Sequence, residues 1–567
     1  MKKRWEYKAE PSADKVSELS QAININNYLS AILIQRGIDS YDRAKDFFRP
    51  SLDSLHDPFL LTDMQKAVER LHKALLNEEK ILIYGDYDVD GTTSVAVVYS
   101  YLRTFYSRCD FYIPDRYKEG YGVSEAGILW AEENGFSLII ALDLGIKAGD
   151  RVVQANHKGI DFIICDHHLP DDTIPQAVAV LDPKRKDCLY PFKELSGCGI
   201  GFKLIQAYAK QYRNEAEVFK YLDLVAVSIA SDIVPISGEN RILAFHGLDR
   251  LNNNPSPGLK ALKEISGIKQ ELDVSSIVFT LGPRINAAGR VAHARGAVEL
   301  LIASTDADAL ALAEKVNLKN DLRREFDLNI TEEALTMIEE SEELRNAKST
   351  VLFKNTWHKG VIGIVASRCI EKYYRPTVIL TQSNGVITGS ARSVQGFDLY
   401  KAIESCGDLL EKFGGHTHAA GVTLKPENLE AFRTRFESVV SSAITETQLI
   451  PLIEIDSIIH FDALNWKFNK VLKQMAPFGP DNQKPVFEAR NVFVQNSLSM
   501  FKDRHIRFLA GQKGSESVFQ AVGFDQIEHY DRLVAGNRFN MAFTLEENTY
   551  NGETSLQLRI KDLKFES

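Results

Sequence analysis

The sequence predicts an α/β protein in which a domain with a parallel sheet precedes a smaller α/β domain and a C-terminal all-β barrel. Three observations support this fold class. Short apolar runs alternate with helical segments from residue 80 onward, which is typical of βα units. Acidic residues directly follow several of the apolar runs. Short β-like runs separated by turn residues occupy the last stretch of the chain.

The first half of the chain supplies the βα units. Residues 1–75 are polar and helical, with a break at Arg49-Pro50. Strands are predicted at 81–84, 138–142, 162–165, 177–181 and 224–229, of which the last could also be a helix. Helices are predicted at 92–105, 147–157 and 202–212. This alternation indicates a parallel sheet, because parallel strands need long crossover connections.

The second half contains a connecting helix and two further domains. Residues 305–344 lack Gly and Pro and are rich in helix-forming residues, so one long helix is predicted. The α/β pattern then resumes with strands at 350–353, 377–380 and 385–391 and helices at 362–373 and 399–405. The β-like runs follow at 485–493, 505–509, 517–524, 539–545 and 555–560. We therefore expect segments at 1–75, 76–304, 305–345, 346–445 and 450–567.

Length and composition indicate a globular cytoplasmic protein. A chain of 567 residues exceeds one core, so about two to four domains are expected. No apolar stretch reaches the roughly 18 residues of a membrane span, and the start lacks the apolar core of a signal peptide. The six cysteines form no CxxC pair, as expected of reduced thiols. A net charge of −10 argues against a basic nucleic-acid coat but not against a nucleic-acid enzyme.

Acidic and histidine side chains follow four of the predicted strands. The carboxyl ends of parallel strands meet at one edge of the sheet, where ligands bind in open α/β folds. Carboxylates that converge there repel one another unless a cation lies among them. Carboxylate with imidazole suits manganese, magnesium or zinc, so the pattern predicts a metal-dependent hydrolase. The residues concerned are Asp86, Asp88, Asp90, Asp143, Asp166, His167, His168 and Asp232.

Each cluster taken alone is also compatible with a different role. The string from Asp86 to Gly91 resembles the opening of an EF-hand loop, but no glutamate stands at the twelfth position and a strand precedes it. It could also be a solvated acidic turn. Asp143 and Asp232 could be capping residues, and a His-His pair is common in surface or core packing. The four clusters together favour the metal site.

The set of clusters resembles the DHH phosphoesterase superfamily, whose members share an Asp-rich motif, a single Asp, an Asp-His-His triplet and a later Asp. Within it the chain is most similar to the RecJ family of bacterial single-strand-specific DNA exonucleases. The segments that carry this resemblance are 84–94 (YGDYDVDGTTS), 282–290 (GPRINAAGR), 414–421 (GGHTHAAG) and 477–482 (PFGPDN). They span nearly the whole chain in the expected order.

The resemblance implies a role for each site residue. Two divalent ions, manganese or magnesium, are expected. Their ligands would be Asp88, Asp90, Asp143, His167 and Asp232, with Asp86 as a further candidate. His168 would join them in catalysis, and Asp166 would lie nearby. Phosphates would be held by Arg284, Asn286, Arg290, Arg392, Gly415 and His416, because small residues allow close approach and guanidinium groups fork onto phosphate oxygens. A glycine-containing turn with surface arginines remains the alternative for 282–290.

The implied activity is a 5′-to-3′ exonuclease that degrades single-stranded DNA to 5′-mononucleotides in DNA repair and recombination. The domains would be a DHH catalytic domain, a DHH-associated domain and an oligonucleotide-binding (OB) barrel that stacks bases on aromatic residues. Single-stranded DNA, a single-strand-binding protein and a helicase are the expected partners of a monomer, with no membrane. Three alternatives are a DHH-family phosphodiesterase for short RNA or cyclic dinucleotides, a non-catalytic replication scaffold and a soluble inorganic pyrophosphatase.

Overall fold

The computed structural model of the protein describes residues 2–383 and 385–565. These divide into two compact units. The parallel-sheet unit comprises Lys45–Leu322 and Met475–Lys484. The β-rich unit comprises the described parts of Met1–Ala44, Arg323–Gln474 and Pro485–Ser567. The short segment Met475–Lys484 therefore groups with residues far from it in sequence.

Strands and α-helices occur throughout both units. The strands are β1 Arg4–Tyr7, β2 Lys80–Gly85, β3 Cys109–Tyr112, β4 Phe136–Leu142, β5 Asp161–Cys165, β6 Ala179–Leu181, β7 Thr350–Phe353, β8 Thr377–Ser383, β9 Val386–Arg392, β10 Lys412–His416, β11 Ala419–Leu424, β12 Leu452–Ile455, β13 Ser457–Ile458, β14 Phe487–Phe501, β15 His505–Gln512, β16 Val518–Gly523, β17 Phe539–Tyr550 and β18 Glu553–Phe565. The helices are α1 Ala13–Ile23, α2 Asn27–Gln35, α3 Tyr41–Phe48, α4 Met64–Leu76, α5 Val89–Arg103, α6 Glu125–Glu133, α7 Gly149–Asn156, α8 Gly197–Tyr212, α9 Leu222–Ser231, α10 Gly238–Asn253, α11 Pro257–Ile265, α12 Val274–Ser276, α13 Gly282–Val291, α14 Arg295–Leu301, α15 Asp306–Glu340, α16 Glu342–Asn346, α17 Ile362–Tyr373, α18 Leu399–Glu404, α19 Leu429–Ala443, α20 Trp466–Gln474 and α21 Tyr530–Val534. Within the described ranges, no helix has the length and apolarity needed to cross a bilayer.

The parallel-sheet unit is built on five parallel strands in the order β3-β2-β4-β5-β6. Alternate side chains of β4 enter opposite cores: Leu138 and Ile140 pack in one cluster, Ile139 and Ala141 in the other. Both faces of the sheet are therefore covered. This explains why the strands are apolar throughout rather than alternating with polar residues.

Two sequence predictions in this unit need correction. Residues 224–229 were expected as a strand, with a helix as the alternative, and they lie in α9. All residues from 222 to 230 are buried, so no polar stripe revealed the helical period. The turn considered for 282–290 is also wrong, because this segment forms α13. The four-residue edge strand β3 was not predicted.

A buried ion pair joins the segment before α4 to the helices behind the sheet. Lys203 of α8 and Glu239 of α10 are fully buried, and their charged atoms lie 2.7 Å apart. Lys203 also donates to the carbonyl of His56. Glu239 accepts from the backbone of His56 and from the hydroxyl of Tyr190. Each charge thus has at least one further hydrogen-bond partner, which helps a buried pair to be tolerated.

The β-rich unit contains two larger sheets. The first has the order β10-β11-β9-β8-β7, with β7 and β8 parallel and the other pairs antiparallel. The second has the order β13-β14-β15-β16-β18-β17, in which β14–β18 close through pairing of β14 with β17 and β13 adds to β14. Five strands with this closure and order form an OB-type barrel. The predicted α/β class with a C-terminal OB-type barrel is confirmed.

Candidate metal centre

Four neighbouring strands of the parallel sheet end at acidic residues. Asp86 follows β2, Asp143 follows β4, the Asp166–His168 triplet follows β5, and Asp182 follows β6. Because these strands are adjacent and parallel, their carboxyl ends meet at one edge. A fifth acid, Asp232, is the C-cap residue of α9 rather than the end of a strand.

The side chain of His167 lies at the centre of this edge. Its Nε2 atom is 3.2 Å from Asp143 Oδ1, 3.6 Å from Asp232 Oδ2 and 3.8 Å from Asp90 Oδ2. Three overlapping groups each bring their ligand atoms within 4.8 Å of one another. They are Asp86 with Asp88 and Asp143, Asp90 with His167 and Asp232, and Asp143 with His167 and His168.

Asp90 is fixed by the first turn of α8. The backbone amides of Gly197 and Cys198 donate to its two carboxylate oxygens at 2.7 and 2.8 Å, and Ser228 Oγ donates at 2.7 Å. A helix N-terminus favours such a negative charge. Residue 197 must be glycine, because a Cβ atom there would lie 2.6 Å from Asp143 Cβ. The α8 terminus therefore positions two acids at once.

Asp166 orients histidine and backbone instead of pointing into the cluster. Its Oδ1 accepts from the backbone amide of His167 and lies 2.7 Å from His168 Nδ1, and its Oδ2 accepts from the Ile146 amide. Burial alone raises its pKa, but these hydrogen bonds and the nearby imidazoles lower the pKa of Asp166 to about 2. The same contact raises the pKa of His168 despite partial burial.

The other acids have the features of a site built for a cation. Within the described chain, Asp86 Oδ1, Asp143 Oδ1 and His167 Nδ1 are buried and have no hydrogen-bond partner. Burial and the charge of Asp88 raise the pKa of Asp86 well above its usual value. Burial and the charge of Asp90 do the same for the pKa of Asp143. Unpartnered, mutually repelling carboxylates beside an imidazole fit divalent manganese or magnesium.

The backbone of Asp143 is in the left-handed region, with φ of 61°. Its amide donates to the Cys165 carbonyl at 2.9 Å, which ties it to the end of β5. A non-glycine residue in this region is strained, and such strain is concentrated at functional sites. The turn aims the carboxylate of Asp143 at His167.

Helix α13 places the predicted phosphate-binding residues beside the Asp-rich motif. A Cβ at Gly289 would lie 2.8 Å from the Tyr87 carbonyl, so α13 touches the loop between Asp86 and Asp88. Asn286 and Arg290 share one face of the helix, since they are four residues apart. Arg284 is on another face and donates to Asn317 and to the Thr280 carbonyl.

The other predicted phosphate-binding residues form a patch in the β-rich unit. His416 of β10, Ala419 of β11 and Arg392 of β9 are paired in one row across the sheet. β10 is exposed along its whole length. Gly415 has φ of 149°, and a side chain there would collide with the β11 backbone. Partial burial and the nearby His418 and Arg392 lower the pKa of His416.

Three residues near the metal centre were missed by sequence reasoning. Asp182 is buried with one unpartnered oxygen among the described atoms, and burial raises its pKa to about 7. It directly follows a predicted strand, so the rule that found the other acids would have found it. Arg116 lies 5.0 Å from the Tyr87 ring, and the Tyr121 hydroxyl is 3.3 Å from His168 Nε2. These two are on a loop, where periodicity gives no signal.

The aromatic residues of the barrel divide between its core and its surface. Phe487 and Phe508 are fully buried, so neither ring is available to stack on a base. Phe524 is 44% exposed, and the Arg559 guanidinium lies 5.0 Å from its ring. Arg507, Val522 and Arg559 pair in one row across β15, β16 and β18, so the two arginines share the outer face.

Three segments match known families: the DHH family N-terminal domain at 80–229, the DHHA1 domain at 346–442 and the RecJ OB domain at 455–562. The chain is 36% identical to the single-stranded-DNA-specific exonuclease RecJ of Bacillus subtilis, over 99% of this chain and 71% of the relative. The chain belongs to the RecJ family. Escherichia coli RecJ is 32% identical, over 89% of this chain and 90% of the relative. The resemblance predicted from four sequence segments is confirmed.

A solved RecJ structure has the same fold. RecJ of Thermus thermophilus in complex with Mn²⁺ matches with a TM-score of 0.84 and 26% identity, over 99% of this chain and 79% of that chain. The same protein in complex with Mg²⁺ matches with a TM-score of 0.78 and 25% identity, over 99% and 78%. Metal binding in that RecJ agrees with the donor set described above.

Proposed function

We propose that the protein is a metal-dependent exonuclease that degrades single-stranded DNA from the 5′ end to 5′-mononucleotides, in DNA repair and recombination. The observation that carries the proposal is the overlapping set of carboxylate and imidazole atoms within 4.8 Å of one another, in a member of the RecJ family. The polarity and the product follow from the family resemblance. The intact acidic set favours an enzyme over a non-catalytic scaffold.

The overlapping ligand groups support two divalent ions, manganese or magnesium. One ion would be held by Asp86, Asp88 and Asp143, and the other by Asp90, His167 and Asp232. When bound, such ions lower the pKa of water and neutralise charge on the phosphate. Asp90 would keep a fixed position, because three donors from α8 and α9 hold it.

His168 would act beside the ions as a proton donor. Asp166 fixes its ring through Nδ1 and stabilises the charged imidazole, because the raised pKa of His168 favours the protonated form. The ring is partly exposed, and Tyr121 contacts its Nε2 side. A protonated ring in this position would donate to a phosphate oxygen of the strand.

The strand itself would be held by the cationic and small residues around the centre. Arg290 and Asn286 of α13 and Arg116 of the neighbouring loop would contact phosphates next to the ions. Arg284 would support α13 through Asn317. In the β-rich unit, the patch of Arg392, Gly415 and His416 offers a guanidinium, an exposed backbone and an imidazole to a further phosphate.

The outer face of the barrel would hold the strand downstream. Arg507 and Arg559 with Phe524 combine positive charge with an exposed ring, which is the combination that binds single strands. Partners beyond DNA, a single-strand-binding protein and a helicase, follow from the family alone. The protein would be a monomer in the cytoplasm, and six buried free cysteines are consistent with that reducing compartment. We retain the proposed domains 76–304, 346–445 and 450–567 with the connecting helix 305–345, except that Met475–Lys484 groups with the parallel-sheet unit. The segment proposed as helical at 1–75 also contains the strand β1 and is divided between the two units.

Degradation of end-labelled strands tests the proposal. With Mg²⁺ or Mn²⁺, a 5′ label on single-stranded DNA should be released at once as mononucleotide, while a 3′ label should persist on shortening fragments. Blunt duplex DNA should resist. Release of the 3′ label first would contradict the polarity, and degradation of cyclic dinucleotides alone would contradict the substrate. As a control, the variant Asp172→Asn should degrade the same strands as the unmodified protein does. The Asp172 side chain is exposed, and so is its ion-pair partner Lys186.

A further inference from the structure

The turn after Asp232 is under backbone strain. Ile233 is a β-branched residue in the left-handed region, with φ of 60°, and its side chain is 62% exposed. Left-handed β-branched residues are outliers that persist only where surrounding structure holds them. Exposure means that side-chain packing does not hold Ile233. Restraint on Ile233 can come from α9, whose C-cap residue Asp232 precedes it, and from the residues that follow it.

The segment Met475–Lys484 contacts the residues that follow Ile233. The backbone amide of Ile236 donates to the Pro480 carbonyl at 2.8 Å. Ile236 is buried, and a Cβ atom at Gly479 would lie 2.5 Å from its Cγ1. Only glycine at 479 lets the segment approach the turn this closely. The contact lies four residues beyond Asp232, on the other side of the strained Ile233.

The segment is itself held rigidly in the parallel-sheet unit. Arg241 donates to the carbonyls of Met475, Ala476 and Pro477 at 3.0 to 3.4 Å. The Asn482 side chain donates to the Met475 and Pro477 carbonyls at 2.9 and 2.7 Å. Residues 479 and 482 are also paired through their backbones. A buried, hydrogen-bonded loop of this kind can hold a strained neighbour in place.

We infer that Met475–Lys484 is a positioning element of the metal centre, which holds Asp232 in line with His167 and Asp90 by clamping the turn at residues 233–236. Gly479 and Asn482 are its positioning residues. The inference rests on the proposed role of Asp232 as a metal ligand. It gives the PFGPDN segment (477–482) a role in positioning a metal ligand, whereas the proposed function gives this segment no role.

Direct Mn²⁺ binding, measured by calorimetry on the full-length protein, tests the inference without relying on activity. Gly479→Ala should displace Ile236 and weaken Mn²⁺ binding on the order of tenfold, as changes behind metal ligands do. Gly149→Ala is the matched control, because a Cβ at Gly149 meets nothing within 4 Å. It should bind Mn²⁺ as the unmodified protein does. Unchanged Mn²⁺ binding by Gly479→Ala would overturn the inference.

A second change separates positioning from general damage. Glycine adopts the left-handed region without strain, so Ile233→Gly in the Gly479→Ala background should recover most of the lost affinity. No recovery would show that the loss does not pass through residue 233 and would overturn the inference. If Gly479→Ala does not fold, Asn482→Leu replaces it, since that change of similar size removes the amide donors without adding a buried charge. Asp232→Asn separates failure of the positioning role from failure of the proposed ligand set. Unchanged Mn²⁺ binding by that variant would refute Asp232 as a ligand.

Discussion

Asp143 combines three properties that restrict which residues can replace it in the metal centre. It has a strained backbone, a buried unpartnered oxygen and a pKa that burial and Asp90 raise well above its usual value. Asn tolerates the left-handed region and matches the shape of Asp. Asp143→Asn should therefore fold normally while losing more than about a hundredfold in hydrolysis, since changes merely behind metal ligands already cost up to that much.

Steady-state hydrolysis of a labelled strand and circular dichroism check this prediction together. The variant should also resist heat better than the unmodified protein when a chelator is present, because one of several repelling carboxylates is gone. Turnover near that of the unmodified protein, by a folded Asp143→Asn variant, would exclude Asp143 from the metal site.

Asp232 predicts how the stability of the metal-free protein depends on pH. Burial, with the charges of Asp90 and Asp88, raises the pKa of Asp232 from 3.8 to about 9. Between these two pH values, the Asp232 carboxyl group keeps its proton in the folded state and has lost it in the unfolded state. The stabilisation is complete below 3.8 and disappears as the pH rises through about 9.

Thermal denaturation in a chelator measures this effect. The melting temperature should fall between about pH 5.5 and about pH 8.5, and Mn²⁺ should restore it most strongly at the higher pH, where the carboxylates are ionised. Asp232→Asn should flatten the dependence. A melting temperature that rises with pH in the chelator would contradict the raised pKa.

At the scale of elements, the pair between α8 and α10 is a strong test of how the segment before α4 is held. Lys203→Met leaves Glu239 buried without its partner and should lower the free energy of unfolding by about 3–5 kcal/mol. The double variant Lys203→Met/Glu239→Gln should lose less, because no charge remains buried. Urea denaturation provides the measurement.

The exposed pair of Lys186 with Asp172 is the matched control. Lys186→Met should change the unfolding free energy by less than about 1 kcal/mol, since exposed pairs contribute little. A Lys203→Met variant as stable as this control would mean that the buried pair does not secure the segment.

The sequence predicted the elements whose apolar pattern has a single explanation. The strands β2, β4 and β5 and the helix α15 lie where their patterns indicated, and the acids after those strands meet at one edge. Helix α9 was ambiguous because burial on all sides removes the period that separates helix from strand.

The parts that could not be predicted depend on contacts distant in sequence. The donors that fix Asp90 come from residues more than a hundred positions away. Nothing local at residues 475–484 shows that they pack against the turn after Asp232. Asp182, by contrast, could have been predicted, because it follows a strand that the sequence revealed.

At the scale of the whole molecule, the barrel face predicts the salt dependence of DNA binding. The plot of log affinity against log salt has a negative slope. Arg507→Glu and Arg559→Glu should each make that slope shallower by about 0.7, the value for one phosphate contact on a single strand. Binding of a long labelled strand across a salt series measures the slope. The metal centre should keep its activity on very short oligonucleotides.

Arg538→Glu is the control for charge alone. Residue 538 directly precedes β17 and lies about 20 Å along that strand from the row that contains Arg559. Equal slopes for Arg538→Glu and Arg559→Glu would show a non-specific charge effect and remove the barrel face from the DNA path. Deleting residues from 450 onward would not be a clean test, because it also removes Met475–Lys484 from the parallel-sheet unit.

The parallel-sheet unit is built from two segments that are far apart in sequence, so they leave the ribosome at different times. Domains fold as they emerge from the N-terminal end during synthesis. Residues 45–322 leave the ribosome long before Met475–Lys484, so the nascent chain has every proposed metal ligand but not the segment that clamps the turn after Asp232. If Met475–Lys484 positions Asp232 as inferred, the metal centre reaches its full Mn²⁺ affinity only after most of the polypeptide has been made. Prematurely terminated chains would carry the proposed metal ligands without Met475–Lys484, and we expect them to bind Mn²⁺ more weakly than the full chain.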